Sequence, residues 1–160
     1  MTALHPDYLS ELTAAYSPPS QQGFGSAVFS ETLKGADDLT KAALSKYRHF
    51  VGGLWDRYGE QAWMGAWREV YVRGTGVPSD IAAELRGIVD RDAGQSVPLI
   101  LEGVEHAESA RAALSAVFDD PAVTELRVFN LGDGEAMSGV LVAGRRGSTG
   151  ETTFLVCLLD

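Results

Sequence analysis

Residues 121–160 constrain the fold of this 160-residue chain more than any other part of it. They contain three apolar segments separated by two glycine-rich ones, in the order PAVTELRVF, LGDGEAMSG, VLVAG, RRGSTGE and TTFLVCLLD. Glycine accepts the positive φ angles that tight β-hairpins require, so we expect each glycine-rich segment to be a hairpin turn. The pattern therefore predicts three consecutive antiparallel strands, a meander that reaches the end of the chain.

The strands of this meander differ in polarity. In the first one, Glu125 and Arg127 alternate with Leu126 and Val128, which predicts one face turned toward water. Residues 154–159, FLVCLL, are apolar at every position. A strand of this kind needs cover on both faces, so we expect it to be central in the sheet or covered by a partner.

Helical periodicity dominates the first half of the chain. We expect a short amphipathic helix that ends before Pro18, an irregular connection at about residues 17–35, and a long helix capped by Asp37 or Asp38. Gly52 and Gly53 interrupt that helix and predict a bend or a close contact. Two more helices are expected, one carrying Trp63, Trp67 and Tyr71 and one with Ser79 as its N-cap and Ile81, Leu85, Ile88 and Val89 as its buried stripe.

The fold class follows from the order of these segments. Residues 97–103, VPLILEG, are short and almost continuously apolar, which favours a buried strand, and a helix is expected over residues 105–118. Helices followed by strands indicate an α+β fold. We predict a helical N-terminal half of three to four helices packed on a β-α-β-β-β, mostly antiparallel sheet that ends in the C-terminal meander, all in one domain of residues 1–160.

Composition favours a soluble globular protein of the cytoplasm. The chain is 45% hydrophobic and 22% charged, the N-terminus has no basic segment followed by an apolar one, and no eighteen apolar residues run together. Cys157 is the only cysteine, which fits a reducing compartment. We therefore expect a cytoplasmic protein that does not associate with membranes.

The charge is strongly acidic, with 22 acidic residues against 13 basic ones and a net charge of -9. Nucleic-acid backbones are bound by clustered lysine and arginine, so non-specific nucleic-acid binding is not expected. From Val97 onward there are ten acidic residues, four arginines and no lysine. The excess either serves solubility or forms a surface for a basic partner.

The sequence indicates no catalytic group, no metal site and no cofactor. The segment Gly144 to Thr152 lacks the lysine and the following helix of a phosphate-binding loop, and its expected role is a hairpin tip. The three histidines are separated along the chain, and Cys157 lies in the most apolar strand, where burial makes a thiol inert. Asp133 and Glu135 are turn residues whose carboxylates are retained as candidate binding groups.

The aromatic residues of the first half are the other candidate binding groups. Trp63, Trp67 and Tyr71 recur at four-residue spacing, and Arg68 lies among them. Large aromatic rings dominate both protein cores and interface hot spots, so core packing and a binding groove are both open interpretations. Arginine beside such rings would suit an acidic or aromatic partner.

Residues 128–144, VFNLGDGEAMSGVLVAG, together with Gly150, resemble the C-terminal hairpin of the nuclease A inhibitor family, whose members are acidic proteins that block a basic nuclease. The resemblance rests on a hydrophobic pattern with glycines. It does not extend to the helical first half, so no family is assigned on this basis. What it implies is a small acidic binding protein.

Three hypotheses of function follow. The first is a non-enzymatic protein that binds another macromolecule, of inhibitor, immunity or regulatory type, with a basic protein as partner. The second is a small-ligand-binding protein or enzyme with a pocket between the aromatic helices and the sheet, where Arg68 holds an anionic group. The third is a subunit of a homo-oligomer whose apolar terminal strand completes a sheet shared between copies.

Overall fold

The computed structural model of the chain describes residues 7–16, 25–34, 37–74, 76–104, 106–132 and 137–159. Within them, one open antiparallel sheet has the strand order β1-β5-β4-β3-β2. Its strands are β1 (Gly25–Thr32), β2 (Arg68–Val72), β3 (Val123–Gly132), β4 (Ser138–Arg146) and β5 (Glu151–Leu159). The predicted meander is therefore confirmed as β3, β4 and β5.

The strand β5 is central, as its apolar sequence predicts. It pairs with β1 along one edge and with β4 along the other. Phe154, Val156 and Leu158 pack on one side of the sheet, and Leu155 and Cys157 pack on the opposite side. Because both edges of β5 are already paired, this strand is not available to complete a sheet shared between copies of the chain.

Helices cover both faces of the sheet. One layer consists of α1 (Asp7–Tyr16), α5 (Ile81–Arg86), α6 (Arg91–Leu101) and α7 (Ala107–Phe118). The other consists of α2 (Leu39–Val51), α3 (Gly53–Tyr58) and α4 (Glu60–Met64). The α+β class is confirmed, but the helices are divided between two layers, because each face of the sheet is apolar and needs its own cover.

The N-terminal end of α2 and its bend follow the sequence prediction. The carboxylate of Asp38 accepts hydrogen bonds from the backbone N–H groups of Thr40 and Lys41, which is the N-cap arrangement. The helix ends at Gly52, whose φ of 66° lies in the left-handed region that glycine adopts without strain. The chain then starts α3 in a new direction.

The prediction of an irregular connection at about residues 17–35 is wrong for its second part. Residues 25–32 form β1, an edge strand that pairs antiparallel with β5. Its glycine and serine residues suggested a loop, but Ala27 and Phe29 pack on one face of the sheet and Val28 packs on the other. The apolar face of β5 stabilises this strand, which its local composition does not reveal. Residues 17–24 lie outside the described part.

The prediction of one helix that carries Trp63, Trp67 and Tyr71 is also wrong. Helix α4 ends at Met64, and residues 68–72 form the edge strand β2, which pairs with β3. The spacing of the three aromatic residues fits a helix, but Glu69-Val70-Tyr71-Val72 contains the β-branched and aromatic residues that favour strands. Pairing with β3 decides between the two alternatives.

Of residues 97–103, where a strand was expected, residues 97–101 are helical. They belong to α6, which Asp90 caps by accepting hydrogen bonds from the N–H groups of Asp92 and Ala93. Ala93, Val97, Ile100 and Leu101 are buried at helical spacing. A continuous apolar segment does not by itself distinguish a buried strand from a buried helix, and here the helix forms even with Pro98 in its interior.

The boundaries of α5 differ in detail from the prediction. Asp80, not Ser79, caps the helix through its carboxylate and the N–H group of Ala83. Because the helix ends at Arg86, Val89 does not continue the buried stripe and is 97% exposed. Ile81, Leu85 and Ile88 are buried as expected.

The turn between β4 and β5 is a hairpin tip, as predicted, and it fixes the position of the chain that follows β1. Gly150 has a φ of 78°, and a Cβ atom built on it would lie 2.1 Å from the carbonyl oxygen of Leu33. That contact is close because the N–H of Leu33 donates to the carbonyl of Gly150 at 2.8 Å. Only glycine fits this position.

We expect Gly150→Ala to lower the free energy of unfolding by about 1–2 kcal/mol or more, since both the left-handed backbone and the contact with Leu33 penalise a side chain. Gly53→Ala is the matched control, because Gly53 is helical, has no neighbouring atom within 4 Å of its added Cβ and has no positive φ. It should leave stability unchanged or raise it by up to about 1 kcal/mol. Equal effects of the two substitutions in chemical denaturation would contradict this account of the turn.

Candidate functional site

The two tryptophans proposed as binding residues pack between the second helical layer and the sheet. Trp63 is 3% exposed, and its indole N–H donates to the carbonyl of Leu54 at 3.0 Å. Trp67 is partly buried and stacks on Tyr47 and on Phe129, with ring centroids 5.5 and 4.8 Å apart. The rings therefore join the helices to the sheet, and their faces are occupied by neighbouring side chains.

Tyr71 lies on the opposite face of the sheet, with the first helical layer. Its hydroxyl donates to a carboxylate oxygen of Glu84 at 2.5 Å, and burial together with this bond raises the pKa of Tyr71 to about 12. Tyr71 and Trp67 are thus not neighbours on one surface. A regular strand would also keep residues at this spacing on one face, but the pairing of β2 with β3 shifts register between Glu69 and Tyr71, and this bulge turns Tyr71 to the other face.

Glu84 is part of an ionic cluster between β2, α5 and α7. Arg73 donates to both of its carboxylate oxygens, at 2.9 and 2.6 Å, and also to the carbonyl of Phe118 and to Asp119. The side chains of Arg73 and Glu84 are 8% and 6% exposed. Burial pushes the pKa of Glu84 upward, but the hydrogen bonds from Arg73 and Tyr71 outweigh it and hold that pKa below its usual value. Every group in this cluster is already paired, so its role is to join the three elements.

Arg68 binds two carboxylates of its own chain. It makes a bidentate contact with Asp90, at 2.7 and 2.8 Å, and donates to Asp92 at 2.9 Å. The hydrogen bonds from Arg68 hold the pKa of Asp90 below the usual value of an aspartate. A guanidinium that is balanced by two carboxylates is a poor site for an external anion, so the anion-binding role expected of Arg68 is not supported by this geometry.

Asp133 and Glu135, the remaining candidate binding residues, lie outside the described residues. Cys157 is buried, and burial raises the pKa of its thiol to about 12, so the thiolate nucleophile is disfavoured. Across the described ranges, no group of three or more His, Cys, Asp or Glu side chains is arranged to hold a metal ion. The same ranges contain no helix of sufficient length and apolarity to cross a membrane.

Several carboxylates of the second half of the chain are neutralised within the protein. Asp119 pairs with Arg73, Asp120 with Arg146 and Glu102 with Arg86, which join separate segments, and Glu125 pairs with Arg127 within β3. The acidic excess from Val97 onward is therefore not a continuous surface of free carboxylates. The position of each carboxylate in the fold, and not its position along the sequence, shows which part of the surface is acidic.

The net charge belongs mainly to one helical layer. The described residues 7–16, 80–104 and 106–120, which form α1, α5, α6 and α7, contain ten acidic residues and three arginines. Six of these carboxylates pair with Arg68, Arg73, Arg86 or Arg146. Residues 37–66, which form α2, α3 and α4, contain four acidic and four basic residues. The molecule thus has an acidic layer, consisting of α1, α5, α6 and α7, and a second layer whose charges balance.

A groove of about 620 Å³ runs between α1 and α7 on the acidic layer. The described residues that line it are small or polar, namely Glu11, Ala14, Ala15, His106, Ser109, Ala110 and Ala112. Glu108 lies one turn before Ala112 on the same side of α7. Glu11 and Glu108 are exposed and form no ion pair with a described residue. The guanidinium of Arg111 points away to the carbonyl of Leu101, at 2.7 Å.

A second, smaller cavity of about 150 Å³ lies where the N-terminal turn of α6 meets the ends of β3 and β4. Asn130 lines it and is 1% exposed. The side-chain Nδ2 of Asn130 donates to the carbonyl of Ala66 at 2.8 Å, but its Oδ1 accepts no hydrogen bond from a described residue. An unpaired buried acceptor costs about 1–3 kcal/mol.

Sequence analysis did not identify Glu11, Glu108 or Asn130 as functional residues. Asn130 is the one with a local signal, because it is a polar residue between Phe129 and Leu131 in an otherwise apolar part of β3. The two glutamates lie far apart in the chain, and only the packing of α1 against α7 brings their helices together.

Comparisons of the chain with known protein families, with curated proteins and with solved structures found no match.

Proposed function

We propose that the protein binds a basic protein through the groove between α1 and α7. The observation that carries this proposal is the groove itself, which opens on the acidic layer beside two glutamates that have no cation among the described residues. The layer as a whole has the charge needed to attract a basic partner over a distance of about one Debye length.

The shape of the groove favours a helix as the bound segment. Its walls contain Ala14, Ala15, Ala110 and Ala112, whose short side chains allow the backbone of another helix to approach closely. A helix that lies in a groove is a common mode of peptide recognition. Lysine or arginine on the edges of that helix would meet Glu11, which lines the groove, and Glu108, which lies one turn from Ala112 on α7.

The experiment that tests the proposal uses a helical peptide of lysine and alanine as the probe, with the same peptide carrying glutamate for lysine as its charge-reversed control. We expect the lysine peptide to bind and the glutamate peptide not to bind. The double variant Glu11→Gln/Glu108→Gln should weaken binding about three- to tenfold at low ionic strength, the range that two exposed charge contacts supply. Binding should also weaken as salt is added.

The matched control removes two exposed carboxylates from the other layer, in the double variant Asp56→Asn/Glu60→Gln. It changes the net charge of the protein by the same amount but leaves the groove intact. We expect it to bind the lysine peptide nearly as well as the wild type does, apart from a small loss from the lower overall charge. If both double variants lose affinity equally, attraction is a property of net charge and the groove is not the site.

A further inference from the structure

The cavity beside Asn130 has a chemical composition that restricts what it can hold. Of the described residues, seven line it, namely Ala66, Asp92, Gln95, Asn130, Leu131, Met137 and Ser138. The carboxylate of Asp92 and the Oδ1 atom of Asn130 accept hydrogen bonds, while the side chains of Gln95 and Ser138 both donate and accept. The cavity is therefore richer in acceptors than in donors.

The charge around the cavity is negative. Arg68 is the cation nearest to it in the hydrogen-bond network, and it is shared between two carboxylates, those of Asp90 and Asp92. It contacts only the Oδ2 atom of Asp92, and the other carboxylate oxygen accepts no hydrogen bond from a described residue. The group of three side chains has one positive and two negative charges, which disfavours an anion and favours a cation.

Asn130 supplies the second, independent observation. It cannot satisfy its Oδ1 by turning its amide around, because the Nδ2 donor is fixed by the carbonyl of Ala66. A buried asparagine at this end of β3 costs free energy unless its side-chain Oδ1 accepts a hydrogen bond. The adjoining cavity is large enough for several water molecules, each of which needs about 10–15 Å³ of such space, or for one small organic molecule.

We propose that this cavity is a binding site for a small organic ammonium compound, whose N–H groups donate to Oδ1 of Asn130 and to the carboxylate of Asp92. The site is separate from the groove between α1 and α7 and does not depend on the protein partner proposed for it. It also differs from the aromatic pocket expected from the sequence, because the rings of Trp63 and Trp67 do not line it.

The test uses ethanolammonium, which is protonated at pH 7, as the probe and acetate as an anion of similar size. We expect ethanolammonium to cause saturable chemical-shift changes at the backbone amides of Ala66, Gln95, Asn130 and Ser138, with a Kd in the millimolar range expected for so small a ligand. Acetate should cause none at these amides. Equal changes with both compounds, or changes with ethanolammonium that do not saturate, would overturn the proposal.

Two variants locate the interaction, and one serves as a control. Asn130→Leu keeps the branched shape of the side chain and removes both the acceptor Oδ1 and the donor Nδ2, so it should abolish the saturable changes. Asp92 is 59% exposed, so Asp92→Asn leaves the core intact, and it should weaken binding at least threefold even if Asn130→Leu fails to fold. Asp56→Asn, on α3, should bind like the wild type.

A site that holds only water would give a different result. Ethanolammonium would then raise the melting temperature of neither the wild type nor Asn130→Leu. The proposal predicts that ethanolammonium raises the melting temperature of the wild type and leaves that of Asn130→Leu unchanged. Acetate at the same concentration controls for ionic strength.

Discussion

Replacing Arg73 with methionine is expected to lower the free energy of unfolding by about 3–5 kcal/mol, the range found when one partner of a buried ion pair is removed. The loss is large because Glu84 remains in the protein interior, 6% exposed, without the cation that binds both of its carboxylate oxygens. Asp119 also loses a partner. Urea unfolding followed by circular dichroism measures the effect.

The pH dependence of the stability of Arg73→Met identifies the cause of its loss of stability. In the wild type the pKa of Glu84 lies below its usual value, so the pair stabilises the fold above about pH 4.5 and this contribution is lost as the pH falls further. Without Arg73, burial favours the protonated carboxyl. The difference in stability between the wild type and Arg73→Met should therefore narrow as the pH is lowered from 7 toward 4.

A double variant provides the control. Arg73→Met/Glu84→Met replaces both charges with apolar side chains and should recover much of the stability lost by Arg73→Met, because no uncompensated buried carboxylate remains. A deficit that is constant with pH and that the second substitution does not reduce would contradict this explanation of the cluster.

Replacing Trp63 with alanine is expected to lower the free energy of unfolding by about 3–5 kcal/mol, the cost typical of deleting a buried tryptophan. The indole is 3% exposed, packs in the core of the second helical layer and bonds the carbonyl of Leu54. Truncation leaves both a cavity and an unpaired carbonyl. Thermal or urea unfolding measures the loss.

Two further variants separate packing from hydrogen bonding. Trp63→Phe keeps an aromatic ring but removes the N–H donor, so it should cost less than Trp63→Ala, about 1–2 kcal/mol. Tyr58→Ala removes an aromatic residue of α3 that is 60% exposed, and it should change stability by less than about 0.5 kcal/mol. If Trp63→Ala is as mild as Tyr58→Ala, Trp63 does not anchor α4 to the sheet.

The meander could be predicted from sequence because its information is local. The turn residues around Gly134 and Gly150 and the apolar segment that follows the second turn determine three strands without reference to the rest of the chain. The interior position of β5 in the sheet could be predicted for the same reason, since a strand that is apolar on both faces has to be covered on both faces.

The errors arose where tertiary contacts decide between two locally acceptable structures. Residues 68–72 satisfy a helical spacing but are stabilised as a strand by β3, and residues 97–101 satisfy a strand composition but continue the helix that Asp90 caps. In both cases the sequence period is compatible with either structure. The edge strand β1 was missed because its stability depends on β5.

The candidate site could not be predicted for a related reason. A helix or a regular strand would keep Trp67 and Tyr71 on one side, but the register shift of β2 between Glu69 and Tyr71 places them on opposite faces of the sheet. The acidic character of the chain was predicted correctly, but its location was not. The ion pairs of Asp119 and Asp120 and the unpaired position of Glu11 depend on which segments meet in the fold.

The most direct test of the central proposal is a map of the backbone amides that respond when the lysine-alanine helical peptide is added at low ionic strength. The proposal predicts that the chemical-shift changes concentrate on α1 and α7, around Ala14 and Ala112, and that they are absent with the glutamate peptide. Changes concentrated on α2, α3 and α4, or spread evenly over the surface, would contradict it.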